Sequence, residues 1–140
     1  MKKEKTKKII VITGASSGIG EQLKIFYKQN GDIVINMSLH AIEDEENYKV
    51  DVSNKEQVAN VFQNIFKKFG GIDILINCAG YGVFGAIELT SEQKSRQIFD
   101  VNYFGTLWCC QEALKYMQKG SRIVNISSAC ALYALPFRAM

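Results

Sequence analysis

"IIVITGASSGIG", residues 9–20, decides how this 140-residue chain is read. Its opening, Ile9-Ile10-Val11-Ile12, is β-branched throughout and does not alternate with polar residues. That is the pattern of a short strand buried on both faces in a parallel sheet. Glycines at 14, 18 and 20 follow at once, and beyond them Ile19, Leu23, Phe26 and Tyr27 recur at helical spacing until Gly31 closes the helix. In a strand–loop–helix unit Gly14 allows the tight turn, Gly18 a close backbone approach to a phosphate, and Gly20 close packing of helix on sheet. The first-turn N–H groups near Ile19 and the positive end of the helix dipole then face an anion. A glycine-rich turn without a ligand is the plainer alternative. The position between a buried strand and an amphipathic helix favours a pyrophosphate cradle.

The same alternation continues outward. "DIVINMS" (32–38) reads as a second strand and "AIEDEEN" (41–47) as an acidic, exposed connection. "YKVDVS" (48–53) is a third strand, with Ser53 placed to cap a helix from Lys55 whose apolar stripe, Val58, Val61, Phe62, Ile65 and Phe69, ends at Gly70-Gly71. "IDILINCAG" (72–80) is a fourth strand running into a glycine turn. Thr90-Ser91 opens a long helix over 92–119, and "SRIVNIS" (121–127) is the fifth strand. Strand and helix alternating five times predict an α/β fold, a Rossmann-type doubly wound, mostly parallel sheet with right-handed crossovers. No repeat, low-complexity stretch or linker divides it, so residues 1–140 form one domain, an incomplete one that stops after about five strands.

Composition narrows the function classes. The chain is 47% hydrophobic and 22% charged, the balance of an ordinary soluble globule. Its net charge of +3 is concentrated in "MKKEKTKK", residues 1–8. With no arginine and no interleaved aromatics, that segment reads as a flexible, solvated tail, not a nucleic-acid or membrane contact. Cys78, Cys109, Cys110 and Cys130 have no ligand spacing and His40 is the sole histidine, which argues against a metal site. No apolar run reaches the roughly 18 residues of a membrane span, and four free thiols suit a reducing cytoplasm.

The spacing Thr13-Gly14-Ala15-Ser16-Ser17-Gly18-Ile19-Gly20, with Asp51-Val52, Asn77-Cys78-Ala79-Gly80, Asn102 in "FDVNYFG" and Ser128 in "NISS" following in order, resembles the short-chain dehydrogenase/reductase family over residues 9–136. The resemblance implies an NAD(P)-dependent oxidoreductase that moves a hydride between a nicotinamide cofactor and a small carbonyl or secondary-alcohol substrate. It assigns cofactor binding to Gly14, Ser16, Ser17, Gly18, Ile19, Gly20, Ser38, Asp51, Val52, Asn77, Ala79 and Gly80, and catalysis to Asn102 and Ser128. Asp51 alone also reads as a strand-end cap; its place at the carboxyl end of the third strand favours an adenine contact. Asn102, on an otherwise apolar face with Ile98, Val101 and Gly105, needs a partner. The resemblance gives it the task of helping to hold a water for proton transfer. Ser128 is the residue that would orient the substrate oxygen, with Ser127 structural. Cys78 stands where the family has a second asparagine that ties the central sheet together, which leaves local rigidity open.

Cofactor choice rests on the end of the second strand, where an acid selects NAD and an arginine suits NADP. Here Ser38, Leu39 and His40 offer neither, and a Ser38 hydroxyl able to donate to a phosphate favours NADP. The family's proton donor is a Tyr followed four residues on by Lys, and no such pair follows Ser128. By the family's spacing it belongs just past Met140. These residues alone are therefore expected to be inactive and to expose an uncovered edge strand, with a full-length form that is a homo-oligomer. A truncated, non-catalytic nucleotide-binding protein and a different Rossmann protein of epimerase-like kind are the competing readings. The aromatic loop "AGYGVFGAIEL" either lines an apolar substrate pocket or packs on the long helix.

Overall fold

The computed structural model describes residues 7–137. Residues 1–6 of the expected tail lie outside them. Lys8 is fastened at both backbone groups, its N–H donating to Asp32 Oδ1 (3.1 Å) and its C=O accepting from Ile33 N–H (2.9 Å). From there β1 (Ile9–Thr13) runs between β2 (Ile33–Ser38) and β4 (Ile72–Asn77). Short β3 (Asn47–Lys49) flanks β2, and β5 (Met117–Asn125) flanks β4. The order is β3-β2-β1-β4-β5 with every pairing parallel, the doubly wound sheet expected from the sequence. Winding reverses between β1 and β4, and at such a switch point a crevice opens beyond the carboxyl ends of the strands.

The non-alternating strands are explained by what covers them. On one face Val11, Ile35, Met37 and Leu75 meet Val58, Phe62 and Ile65 of α2 (Lys55–Phe69) and Cys109 and Ala113 of α4 (Thr106–Leu114). On the other, Ile10, Ile12, Val34, Ile74 and Ile76 pack against Leu23 and Tyr27 of α1 (Gly18–Gln29). With helices on both faces, successive residues of β1 from Ile10 to Thr13 are all buried.

Four boundaries differ from the sequence reading. Pairing in β3 ends at Lys49 because its partner β2 ends at Ser38; Val50 and Val52 then turn into the core instead of continuing a ladder. The cap of α2 is Asn54, not Ser53: Asn54 Oδ1 accepts the Gln57 N–H at 3.0 Å, while Ser53 is held by Asp51. Asn54→Ala should cost about 1 kcal/mol in urea unfolding, with the slope unchanged. The helix expected over 92–119 is broken. It comprises α3 (Glu92–Phe99), a π-helical turn over Asp100–Gly105, and α4, which stops at Leu114. The chain leaves the helix early because Ile72, 3% exposed, needs backbone partners. Tyr116 C=O accepts its N–H at 3.3 Å, and the Ser121 hydroxyl donates to its C=O at 2.9 Å. Strand β5 therefore begins at Met117, with an irregularity between the Ile72 and Ile74 pairings, and ends at Asn125, so that Ser127 and Ser128 lie beyond it.

Candidate functional site

Gly14 leaves β1 at φ +69°, and its N–H donates to the Met37 carbonyl at 2.8 Å. A Cβ there would stand 2.9 Å from the Ala79 backbone, so the glycine loop and the turn after β4 touch along their main chains. Gly20 is packed as tightly: a Cβ would lie 2.5 Å from the Gly14 carbonyl oxygen, which seats the first turn of α1 directly on the loop. Gly18, the first residue of α1, has open space on its Cβ side, and Ile19 beside it is 62% exposed. The first N–H groups of α1 have no partner within the helix.

Thr13, the last residue of β1, fixes the turn after β4. Its hydroxyl oxygen accepts the N–H groups of Cys78 (3.1 Å) and Ala79 (3.0 Å). Asn77 donates from Nδ2 to Asn125 Oδ1 at 2.8 Å and to Cys110 Sγ at 3.4 Å, tying β4 to β5 and to α4. The rigidity that Cys78 left open is thus carried by Thr13 and the Asn77–Asn125 pair. Asn77 Oδ1 is buried with no hydrogen-bond partner among the described residues.

Two cavities open over these strand ends and share Ala79, Gly80 and Tyr81. The first, about 360 Å³, is lined by Gly14, Ser16, Ser17, Ser38, His40, Asp51 and Val52 among others. The second, about 480 Å³, is lined by Asn77, Cys78, Asn102, Ser127, Ser128 and Cys130 among others. Most residues singled out in the sequence are therefore brought to one continuous cleft. Gly18 and Ile19 line neither cavity; they border a separate depression on the exposed face of α1 with Glu21, Gln22, Leu23 and Phe26, and Gly20 is buried.

Individual side chains refine the reading. Asp51 Oδ1 accepts both the N–H (2.9 Å) and the hydroxyl (2.7 Å) of Ser53, so it caps the turn while it lines the cavity. Ser38 Oγ donates to Asn36 Oδ1 at 2.5 Å, so the hydroxyl proton expected for a phosphate points into the protein. Asn102 makes a two-way bridge to Tyr81: Oδ1 accepts its N–H (3.1 Å) and Nδ2 donates to its C=O (2.8 Å). It does so from within the π turn, where one residue is added to the helical circuit. Ser128 Oγ accepts the Cys130 N–H at 3.2 Å, which leaves its own proton for another acceptor. Burial, assisted by neighbouring Cys110, pushes the Cys109 thiol up to about 12, and burial also raises Cys78 and Cys110. Such thiols stay protonated and are poor nucleophiles. Among the described residues no group of His, Cys, Asp or Glu could hold a metal, and no helix is long and apolar enough to cross a membrane.

The sequence reading did not single out Thr13, Asn36, Tyr81 or Asn125 as positioning residues. Polar side chains at Thr13 and Asn36, inside otherwise apolar strands, were the available signal; Tyr81 and Asn125 act through partners far away in sequence.

Comparison with known proteins agrees with this geometry. A family model described as short chain dehydrogenase matches residues 8–140. A 3-ketodihydrosphingosine reductase of Bacteroides thetaiotaomicron is 36% identical over 135 residues, which cover 93% of this chain and 50% of that protein. Among solved structures, the ligand-free aldohexose dehydrogenase of Thermoplasma acidophilum superposes with a TM-score of 0.82 at 38% identity, over 87% of this chain and 49% of that one. ElxO with NADP bound gives 0.85 at 34% identity, over 94% of this chain and 60% of that one. The chain spans about half the length of the curated relatives it matches.

Proposed function

The chain belongs to the short-chain dehydrogenase family of oxidoreductases, and from that premise we propose that its cleft binds a nicotinamide dinucleotide and serves hydride transfer to or from a carbonyl or secondary alcohol. The observation that carries this reading is the junction of two cavities over Ala79, Gly80 and Tyr81. One holds the glycine loop and Asp51; the other holds Asn102 and Ser128. A dinucleotide needs such a pair, one compartment for its adenosine and one for its reactive ring.

The residues present fit that group. The open space at Gly18 and the unpaired donors of α1 suit the pyrophosphate, Asp51 and Val52 flank the adenine end, and Ala79 and Gly80 lie between the compartments with Asn77 in the second. The bound cofactor would supply or accept the hydride. Ser128, with its proton unspent, donates to the substrate oxygen and so stabilises charge that develops on it. Asn102 braces the Tyr81 backbone and so fixes the wall between the compartments; we assign it the further task of helping to hold a water for proton transfer. The lack of an acid among Ser38, Leu39 and His40 favours NADP, with Ser16 and His40 as the donors nearest the adenosine end. An apolar substrate is favoured by the exposed Tyr81 and Ile126 side chains that line the second cavity. The whole protein is read as a cytoplasmic homo-oligomer whose thiols stay reduced, in keeping with four free cysteines.

Fluorescence titration of the purified chain tests the reading. Saturable binding of NADPH, tighter than that of NADH, is expected; binding of neither would overturn it. No tyrosine in these 140 residues is followed four places on by a lysine. Residues 1–140 alone are therefore expected to bind without turnover, and NADPH oxidation that depends on Ser128 would refute that part.

A further inference from the structure

At the adenosine end of the first cavity a chain of amide and carboxylate groups decides which way each hydroxyl points. Asp44 begins it. Its carboxyl is held below the usual carboxylate range by the Glu46 backbone N–H and the Asn47 amide, so it only accepts. Asn47 must then turn its Nδ2 toward Asp44, at 2.7 Å from both oxygens. Its Oδ1 is left facing Asn36, beside it across the β2–β3 pairing. Asn36 must in turn present Nδ2, which donates to Asn47 Oδ1 at 3.0 Å and to Ser16 Oγ at 3.2 Å. Only Oδ1 remains for Ser38, whose hydroxyl therefore has to donate inward. Asn36 itself is 2% exposed in a central strand, where an amide persists only with its partners satisfied.

We propose that Asn36 is a positioning residue that sets the hydrogen-bond polarity of the adenosine pocket, making Ser38 an acceptor toward the cavity and leaving Ser16 a proton to donate. This rests on the dinucleotide reading above. An acceptor at Ser38 suits a ribose hydroxyl and opposes a phosphate on the same carbon, whereas the free proton of Ser16 suits an anion. The relay therefore tempers selection for a 2′-phosphorylated ligand in a pocket where Ser38, Leu39 and His40, at the end of the second strand, include no acid to do so.

Adenosine 5′-monophosphate and adenosine 2′,5′-bisphosphate report on this end alone. In Asn36→Ala the Ser38 proton is released, and preference for the bisphosphate should rise about tenfold, the worth of one hydrogen bond to a charged group. In Asn36→Ala/Ser38→Ala that rise should vanish, leaving the ratio within twofold of Ser38→Ala alone. Should Asn36→Ala fail to fold, Asn47→Ala on edge strand β3 removes the same anchor and should raise the preference in the same direction. An unchanged ratio in the folded variant, or a rise that survives loss of Ser38, overturns the proposal. A wild-type chain that binds neither nucleotide would instead overturn the cofactor reading, and the proposal with it.

Discussion

Gly20→Ala should reduce NADPH affinity at least about 100-fold, the largest loss from any single methyl group in the cleft. The added carbon would stand 2.5 Å from the Gly14 carbonyl oxygen and 2.9 Å from its carbon, both backbone atoms that cannot rotate away. Relief requires the first turn of α1 to lift off the loop. The N–H groups that the dinucleotide reading gives to a pyrophosphate would then move with it, and a displaced donor loses much of its directional strength. The overpacking should also lower stability by about 1–3 kcal/mol. Titration with NADPH, alongside thermal unfolding to show that the variant is folded, checks both. Affinity within threefold of wild type would mean that the cradle does not bind phosphate.

Phe62→Ala should unfold the chain most readily of all side-chain truncations, at a cost of about 3–5 kcal/mol. Phe62 is 0% exposed and is among the largest fully buried side chains. It sits in the cluster that joins α2 to β1, β2, β4 and α4, so the cavity left behind borders several elements and no one of them can collapse into it. Against a total of about 5–15 kcal/mol the loss is severe, and a fall in Tm of roughly 10–20 °C is expected. Phe66, one turn on, is 41% exposed and stacked on Tyr116 at 4.7 Å between ring centroids; its truncation should cost less than half as much. Comparable losses at the two positions would contradict the assignment of the core.

The two strands at the centre of the sheet were legible because their partners need not be known. A β-branched run such as Ile9–Ile12 is buried wherever helices lie on both faces, and the glycine loop marks the strand end whatever follows. The helix written as 92–119 was not legible in the same way. Nothing local to Leu114 stops it; the stop comes from Ile72, some forty residues earlier, whose backbone claims Tyr116 and Ser121. Ser38 shows the same limit on a smaller scale. Its presence at the pocket was readable, but the direction of its proton depends on Asp44 through two asparagines whose adjacency exists only once β2 and β3 are paired.

The π turn at Asp100–Gly105 has a consequence for sequence length. Each α-helical residue advances the azimuth by about 100°, so a widened circuit sets α4 out of phase with α3 by about one residue's worth of rotation. The segment from 92 to 114 is in effect two helices in different registers joined by a single-residue insertion. Removing one residue there would restore a continuous helix and rotate either Asn102 away from Tyr81 or Cys109 and Ala113 away from the sheet. The spacing across this turn is therefore as constrained as the identity of the residues in it.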